Sequence, residues 1–146
     1  MESLEAIVGA KGGTVHTTVP EATVLEAVDQ MCRLHVGALV VVRRDGIVGV
    51  FSERDLMTRV VLQQRDPATT HVGEVMTTEV VSVSVQTSSH DAMALMTSQR
   101  VRHLPVTDGD RMTGLVSIGD MVRAVIADRE RLVDELQGYV AGRYPA

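Results

Sequence analysis

Aromatic side chains are almost missing from this 146-residue chain: there is no Trp, and Phe51, Tyr139 and Tyr144 are the whole supply. Such a chain offers no platform on which the bases of a single-stranded nucleic acid can stack. Positive charge is short as well. Lys+Arg number 14 against 19 Asp+Glu, and the net charge of -5 argues against a general nucleic-acid surface. Lysine occurs once, at Lys11. The other basic residues are arginines, whose planar fork suits phosphate, so a local basic patch stays open. A lone cysteine, Cys32, excludes a disulfide framework and a Cys-based metal site within one chain. Its place beside Met31 in a helical pattern predicts a small buried hydrophobe, with a redox role as the alternative. No stretch approaches the roughly 18 apolar residues of a membrane span. The N-terminus lacks a basic region followed by an apolar run, so a soluble, cytoplasmic protein is expected. The marks of catalysis are missing too, and no enzyme is expected. Gly9-Ala10-Lys11-Gly12-Gly13-Thr14 only superficially suggests a phosphate loop, whose spacing it does not meet, and it reads as a flexible lead-in. The five histidines (16, 35, 71, 90 and 103) have no metal-ligand spacing, and there is no nucleophile elbow.

What the chain does have is an internal repeat. Shifted by 65 positions, Ala27, Met31, Val36, Leu39 and Val41 fall on Ala92, Met96, Val101, Leu104 and Val106. The same shift puts Asp45, Gly49, Ser52, Asp55 and Val60 on Asp110, Gly114, Ser117, Asp120 and Val125. Solenoid repeats run roughly 20–50 residues, so this period suits one small α/β unit used twice. Either half alone would be only marginally stable, because a small unit buries little of its surface. Two such units are expected to pack about a pseudo-two-fold axis, with a ligand cleft between them.

Each unit reads β-α-β-β-α. In the first, Val15 to Val19 is a short strand, and Thr23 caps a helix carrying Val24, Val28, Met31 and Leu34. Val36 to Val42, continuously apolar and β-branched, predicts a strand buried on both faces. Arg43-Arg44-Asp45-Gly46 is a turn with Gly placed for positive φ. Ile47 to Phe51 returns as a strand, and Ser52 opens a helix running to about Leu62. In the second unit, Val80 to Val85 is the strand, Ser88 caps the helix through Ala92, Leu95 and Met96, and Val101 to Thr107 and Met112 to Val116 form the hairpin. Domain boundaries are expected at 1–66, 67–127 and a helical extension at 128–146. The extension carries an apolar seam at Leu132, Val133, Leu136 and Val140 that is free to meet a partner subunit.

The repeated Gly-x-x-Ser-x-x-Asp (Gly49, Ser52, Asp55 and Gly114, Ser117, Asp120) has two readings. Ser-x-x-Asp at a helix start is close to a capping box, with the acid complementing the helix dipole. The same place offers free N–H groups to an anionic phosphate, and a carboxylate that accepts from two vicinal ribose hydroxyls.

The order of elements, the strand starts His35-Val36-Gly37-Ala38-Leu39 and Arg100-Val101-Arg102-His103-Leu104-Pro105-Val106, and the pair Phe51-Ser52-Glu53-Arg54-Asp55 and Val116-Ser117-Ile118-Gly119-Asp120 resemble tandem cystathionine-β-synthase (CBS) domains. The similarity runs from about Ala10 to Ala127, as in small stand-alone proteins made of one CBS pair, or Bateman module. It implies a regulatory sensor of an adenosine ligand, AMP foremost, with NAD(H), ATP or S-adenosylmethionine as others. It implies that Asp55 and Asp120 hold ribose, joined by Ser52 and Ser117, and that the base lies against Val36, Gly37 and Ala38 or Val101, Arg102, His103 and Leu104. Each cleft draws on both repeats in that family, so Asp120 is expected to work with the first repeat's strand start. Arg54, Arg102 and His103 are the phosphate candidates. Gly119, where the first repeat has Arg54, lets a ligand approach the backbone, and the Asp120 cleft is expected to be the better one, with Arg54 reaching across. A homodimer with Met31, Met93 and Met96 at some of its contacts, acting on a further regulated protein, is also implied; core packing is the alternative for those methionines.

Overall fold

The computed structural model describes residues 3–11, 15–44 and 46–140. In chain order its elements are α1 (Leu4–Ala10), β1 (Thr17–Thr18), α2 (Val24–Leu34), β2 (Ala38–Arg43), β3 (Gly46–Ser52) and α3 (Glu53–Asp55), which runs on as a π-helical segment, Leu56–Val61. Then come α4 (Val72–Val75), β4 (Val83–Ser84), α5 (Ser89–Gln99), β5 (His103–Asp108), β6 (Arg111–Ser117) and α6 (Ile118–Val140). This is a mixed α+β fold with two three-stranded sheets, ordered β1-β2-β3 and β4-β5-β6.

The two sheets are built alike. β1 pairs parallel with β2, the connection passing through α2, and β2 pairs antiparallel with β3. β4, β5 and β6 repeat that scheme. Each hairpin even slips register at the same repeat position, between Val41 and Val42 and between Val106 and Thr107. The helices are capped as their sequences demand. Thr23 Oγ1 accepts from the Glu26 amide at 3.1 Å, and Ser88 Oγ from that of Asp91 at 3.1 Å. Gly46, in the first hairpin turn, has φ 123°, which a side chain would strain. Asp45 of that turn, residues 12–14 of the glycine-rich lead-in and 141–146 of the extension, Tyr144 among them, lie outside the described residues.

Packing divides the chain differently from the sequence repeat. One compact unit is Val15–Val81; the other joins the described part of the N-terminal segment, 3–11, to 82–140. The reason lies in two short helices that the repeat does not announce. Leu4, Ile7 and Val8 of α1 are buried, and the α1 amides of Leu4 and Glu5 donate to the carbonyls of Thr87 and Val85, both at 3.0 Å. In the other unit, Val72 and Val75 of α4 complete a core with Val24, Ala27, Met31, Leu39, Val41, Phe51 and Val60. Burying such an aliphatic side chain contributes about 1.5–3 kcal/mol, enough to fix where each short helix goes. The expected boundary at 66/67 therefore separates α4 from the core it completes.

Three expectations need correction. Cys32 is exposed, because α2 turns Val24, Ala27 and Met31 inward and the next residue lies about 100° further round. Leu34, expected on the buried face, is 38% exposed as the last residue of the helix, before its C-cap His35. Met31 and Met96, 4% and 2% exposed, are core residues. Beyond Asp128, α6 continues to Val140, with Leu132, Val133, Leu136 and Val140 exposed.

Candidate functional site

Both Ser-x-x-Asp motifs form at the junction of a hairpin and a helix, and both close on themselves. Asp55 Oδ2 accepts from the Ser52 amide at 3.0 Å and from its hydroxyl at 3.1 Å, while Ser52 Oγ accepts from the Asp55 amide at 3.3 Å. In the second unit, Asp120 Oδ2 accepts from the Ser117 amide at 2.8 Å and Ser117 Oγ from the Asp120 amide at 3.2 Å. The capping-box reading is therefore realised twice. It also accounts for two carboxylates that are each only 5% exposed, since a buried charge must be hydrogen-bonded.

The strand starts sit beside these motifs within the same unit. Ala38 is the register partner of Ser52, and His103 that of Ser117. The Glu53 amide donates to the Gly37 carbonyl at 3.0 Å, and the Ile118 amide to the Arg102 carbonyl at 2.9 Å. In each unit the fold thus brings together the strand start, Val36 to Ala38 or Val101 to Leu104, and the Ser and Asp of its own repeat. Ala38 and Leu104 are buried, Val36, Gly37, Val101 and His103 half-buried, and Arg54 and Arg102 exposed. A Cβ on Gly37 would come within 3.2 Å of the Glu53 carboxylate, which lies over that strand start. At Gly119 a Cβ would meet nothing closer than 3.5 Å, so the protein itself does not require glycine there.

The two carboxylates differ in their outer partners. Thr77 donates its hydroxyl to Asp55 Oδ1 at 3.0 Å, and Arg59 stands 3.7 Å from the same oxygen. Asp120 instead meets two cations: Lys11 Nζ at 2.8 Å from Oδ2, and Arg123 on Oδ1. Burial alone would raise the Asp120 pKa; the hydrogen bond from Lys11, the Ser117 amide and Arg123 outweigh it and hold the carboxyl below its ordinary value. These four partners escape sequence reasoning unevenly. Arg59 and Arg123 stand at helical spacing from their aspartates and could have been found. Lys11 and Thr77 lie in segments that carry no motif of their own.

Two copies of a three-stranded unit, each ending its hairpin on a buried, capped Ser-x-x-Asp, define a tandem module. The family model for the CBS domain matches residues 14–62 and 72–127, and the chain belongs to that family. It is similar to the mitochondrial CBS domain-containing protein CBSX3 of Arabidopsis thaliana, 40% identical over 127 residues, which are 84% of this chain and 62% of that protein. It is also similar to the CBS domain-containing protein YhcV of Bacillus subtilis, 38% identical over 73% of this chain and 76% of that one. Among solved structures, a protein with CBS domains from Burkholderia ambifaria superposes with a TM-score of 0.84 at 43% identity, covering 87% of this chain and 96% of the other. The chain spans a little under two thirds of the Arabidopsis relative. CBS pairs are in general regulatory modules that bind adenosine ligands. Among the described residues no helix is long and apolar enough to cross a membrane.

Proposed function

We propose that this chain is a regulatory module that binds an adenosine nucleotide, AMP foremost, and signals by a ligand-dependent change in geometry to a further protein. The observation that carries the reading is the double placement of a buried carboxylate and a serine hydroxyl against a strand start, at the same register in both repeats. Asp55 and Asp120 present carboxylate oxygens to vicinal ribose hydroxyls, and the strand starts supply apolar surface and backbone for a base. Arg102, exposed at one strand start, and Arg54, exposed at the other motif, are available to phosphate. ATP, NAD(H) and S-adenosylmethionine are the competing ligands. A ligand shifts such a module only through its different affinity for two arrangements. The exposed seam Leu132, Val133, Leu136 and Val140 supports a homodimer, and favours a second reading, a ligand-free interaction module.

Thermal melting of the full chain with AMP, ADP, ATP, S-adenosylmethionine and NADH at equal excess tests the first reading. Ligand at about a hundred times its dissociation constant stabilises by roughly 2.7 kcal/mol. The expected outcome is a selective rise for one compound that Asp120→Ala abolishes. An unchanged rise in Asp120→Ala moves the site to Asp55; no rise with any compound leaves the interaction module.

A further inference from the structure

We infer that Lys11 makes the Asp120 position selective for adenosine ligands that carry phosphate, an inference that rests on the ribose role proposed above for Asp120. Lys11 follows α1 and lies outside both stretches that the family model matches, 14–62 and 72–127. Yet its ammonium reaches the second unit's buried carboxylate, donating to Asp120 Oδ2 at 2.8 Å and to the Leu115 carbonyl at 2.9 Å. The lysine side chain is 42% exposed and that of the aspartate 4%, so the amine stands on the solvent side and the acid behind it. Arg123 closes on the other carboxylate oxygen. Two cations thus meet one anion, and this position is cationic by one charge.

The equivalent position in the first repeat is not. There a neutral hydroxyl, that of Thr77, takes the place of the ammonium, and Arg59 stands at 3.7 Å. Glu53 adds a negative charge where the second repeat has Ile118, and Arg54 a positive one where it has Gly119, which leaves the first position neutral. The two carboxylates share a capping box and differ in the charge around it.

That difference decides what can bind. A ribose hydroxyl that takes Asp120 Oδ2 removes one of the two acceptors of Lys11. An ammonium has three donors and no acceptor, and at 42% exposure water only partly replaces a charge-assisted bond lost from the carboxylate that neutralises it. A phosphate on the same ligand replaces the lost acceptor with a charge-assisted one. An uncharged nucleoside brings no replacement. The lysine therefore penalises adenosine and admits AMP, ADP or ATP.

Titration calorimetry of the full chain with AMP and with adenosine, for wild type, Lys11→Met and Lys11→Arg, tests this on the binding event that Asp120→Ala removes. Wild type is expected to prefer AMP, Lys11→Met to lower the AMP-to-adenosine affinity ratio by about tenfold, and Lys11→Arg to keep it. A change of ratio is not what mere loss of packing by α1 produces, and rescue by arginine separates charge from fit. An unchanged ratio in Lys11→Met, or tighter AMP binding there, overturns the inference alone. Wild type that binds neither compound overturns it together with the ribose reading of Asp120.

Discussion

Ser89 stands where the first repeat has Val24. Both open a helix just after its cap, and both are fully buried. Among the described residues the Ser89 hydroxyl has no hydrogen-bond partner. A buried hydroxyl left unmatched costs about 1–3 kcal/mol, whereas a valine in the same place brings only apolar surface. Ser89→Val is therefore expected to raise the unfolding free energy by about 1 kcal/mol, read from urea denaturation; a fall would mean that the second unit has no room for the extra methyl groups. Ser88, which accepts the Asp91 amide, is untouched by the change. At this scale the candidate site was half legible. Ser52, Asp55, Ser117 and Asp120 stand in a local spacing that dictates a capping box, and they form one. Lys11 was not legible as a partner of Asp120, because it reaches that carboxylate from the far end of the sequence.

The elements show why part of the fold was readable and part was not. Long apolar strands bounded by turns, and helices with a capping residue in front, declare themselves through their period, and both hairpins and α2, α5 and α6 lie where that period puts them. α1 and α4 are too short to display one. They are also out of step with the repeat: α4 begins 68 residues after α1, Leu4 to Val72, so a search at one fixed offset passes over them. Their trace in the sequence is a pair of glycines. A Cβ on Gly49 would lie 2.8 Å from the Thr77 carbonyl and 2.7 Å from Met76 Sδ, and one on Gly114 would lie 2.7 Å from a Val8 methyl. The motif's glycine is thus explained by the segment laid across it. Gly49→Ala is expected to destabilise by about 1–3 kcal/mol, the range for overpacking. Thr77 cannot retreat without straining the two 2.9 Å hydrogen bonds it exchanges with Val50. Gly114→Ala, which meets only a side chain, should cost less, and chemical denaturation of the two variants measures the difference.

For the whole molecule, packing sets Val15–Val81 apart from 3–11 with 82–140, a division other than the cut at 66/67 that the repeat suggests. A 15–81 fragment keeps Val72 and Val75 in the core with Phe51, and keeps Thr77 on Asp55. A 1–66 fragment loses all three and gains an α1 with nothing to bury Leu4 against. The expected outcome is a cooperative melt by circular dichroism for 15–81 and a weaker or absent one for 1–66; the reverse order would show that α4 is dispensable. The same interleaving bears on how the protein comes into being. As the chain leaves the ribosome, α1 emerges before the segment it packs on and its apolar residues must wait, because Val85 and Thr87 have yet to be made. The Val15–Val81 unit can close meanwhile from neighbouring pieces. Docking α1 then means closing a long loop, an entropic cost that grows slowly with length but delays the step. A chain made only as far as Val81 therefore already holds a finished Asp55, while the Lys11–Asp120 pair can form only after the second repeat has been made.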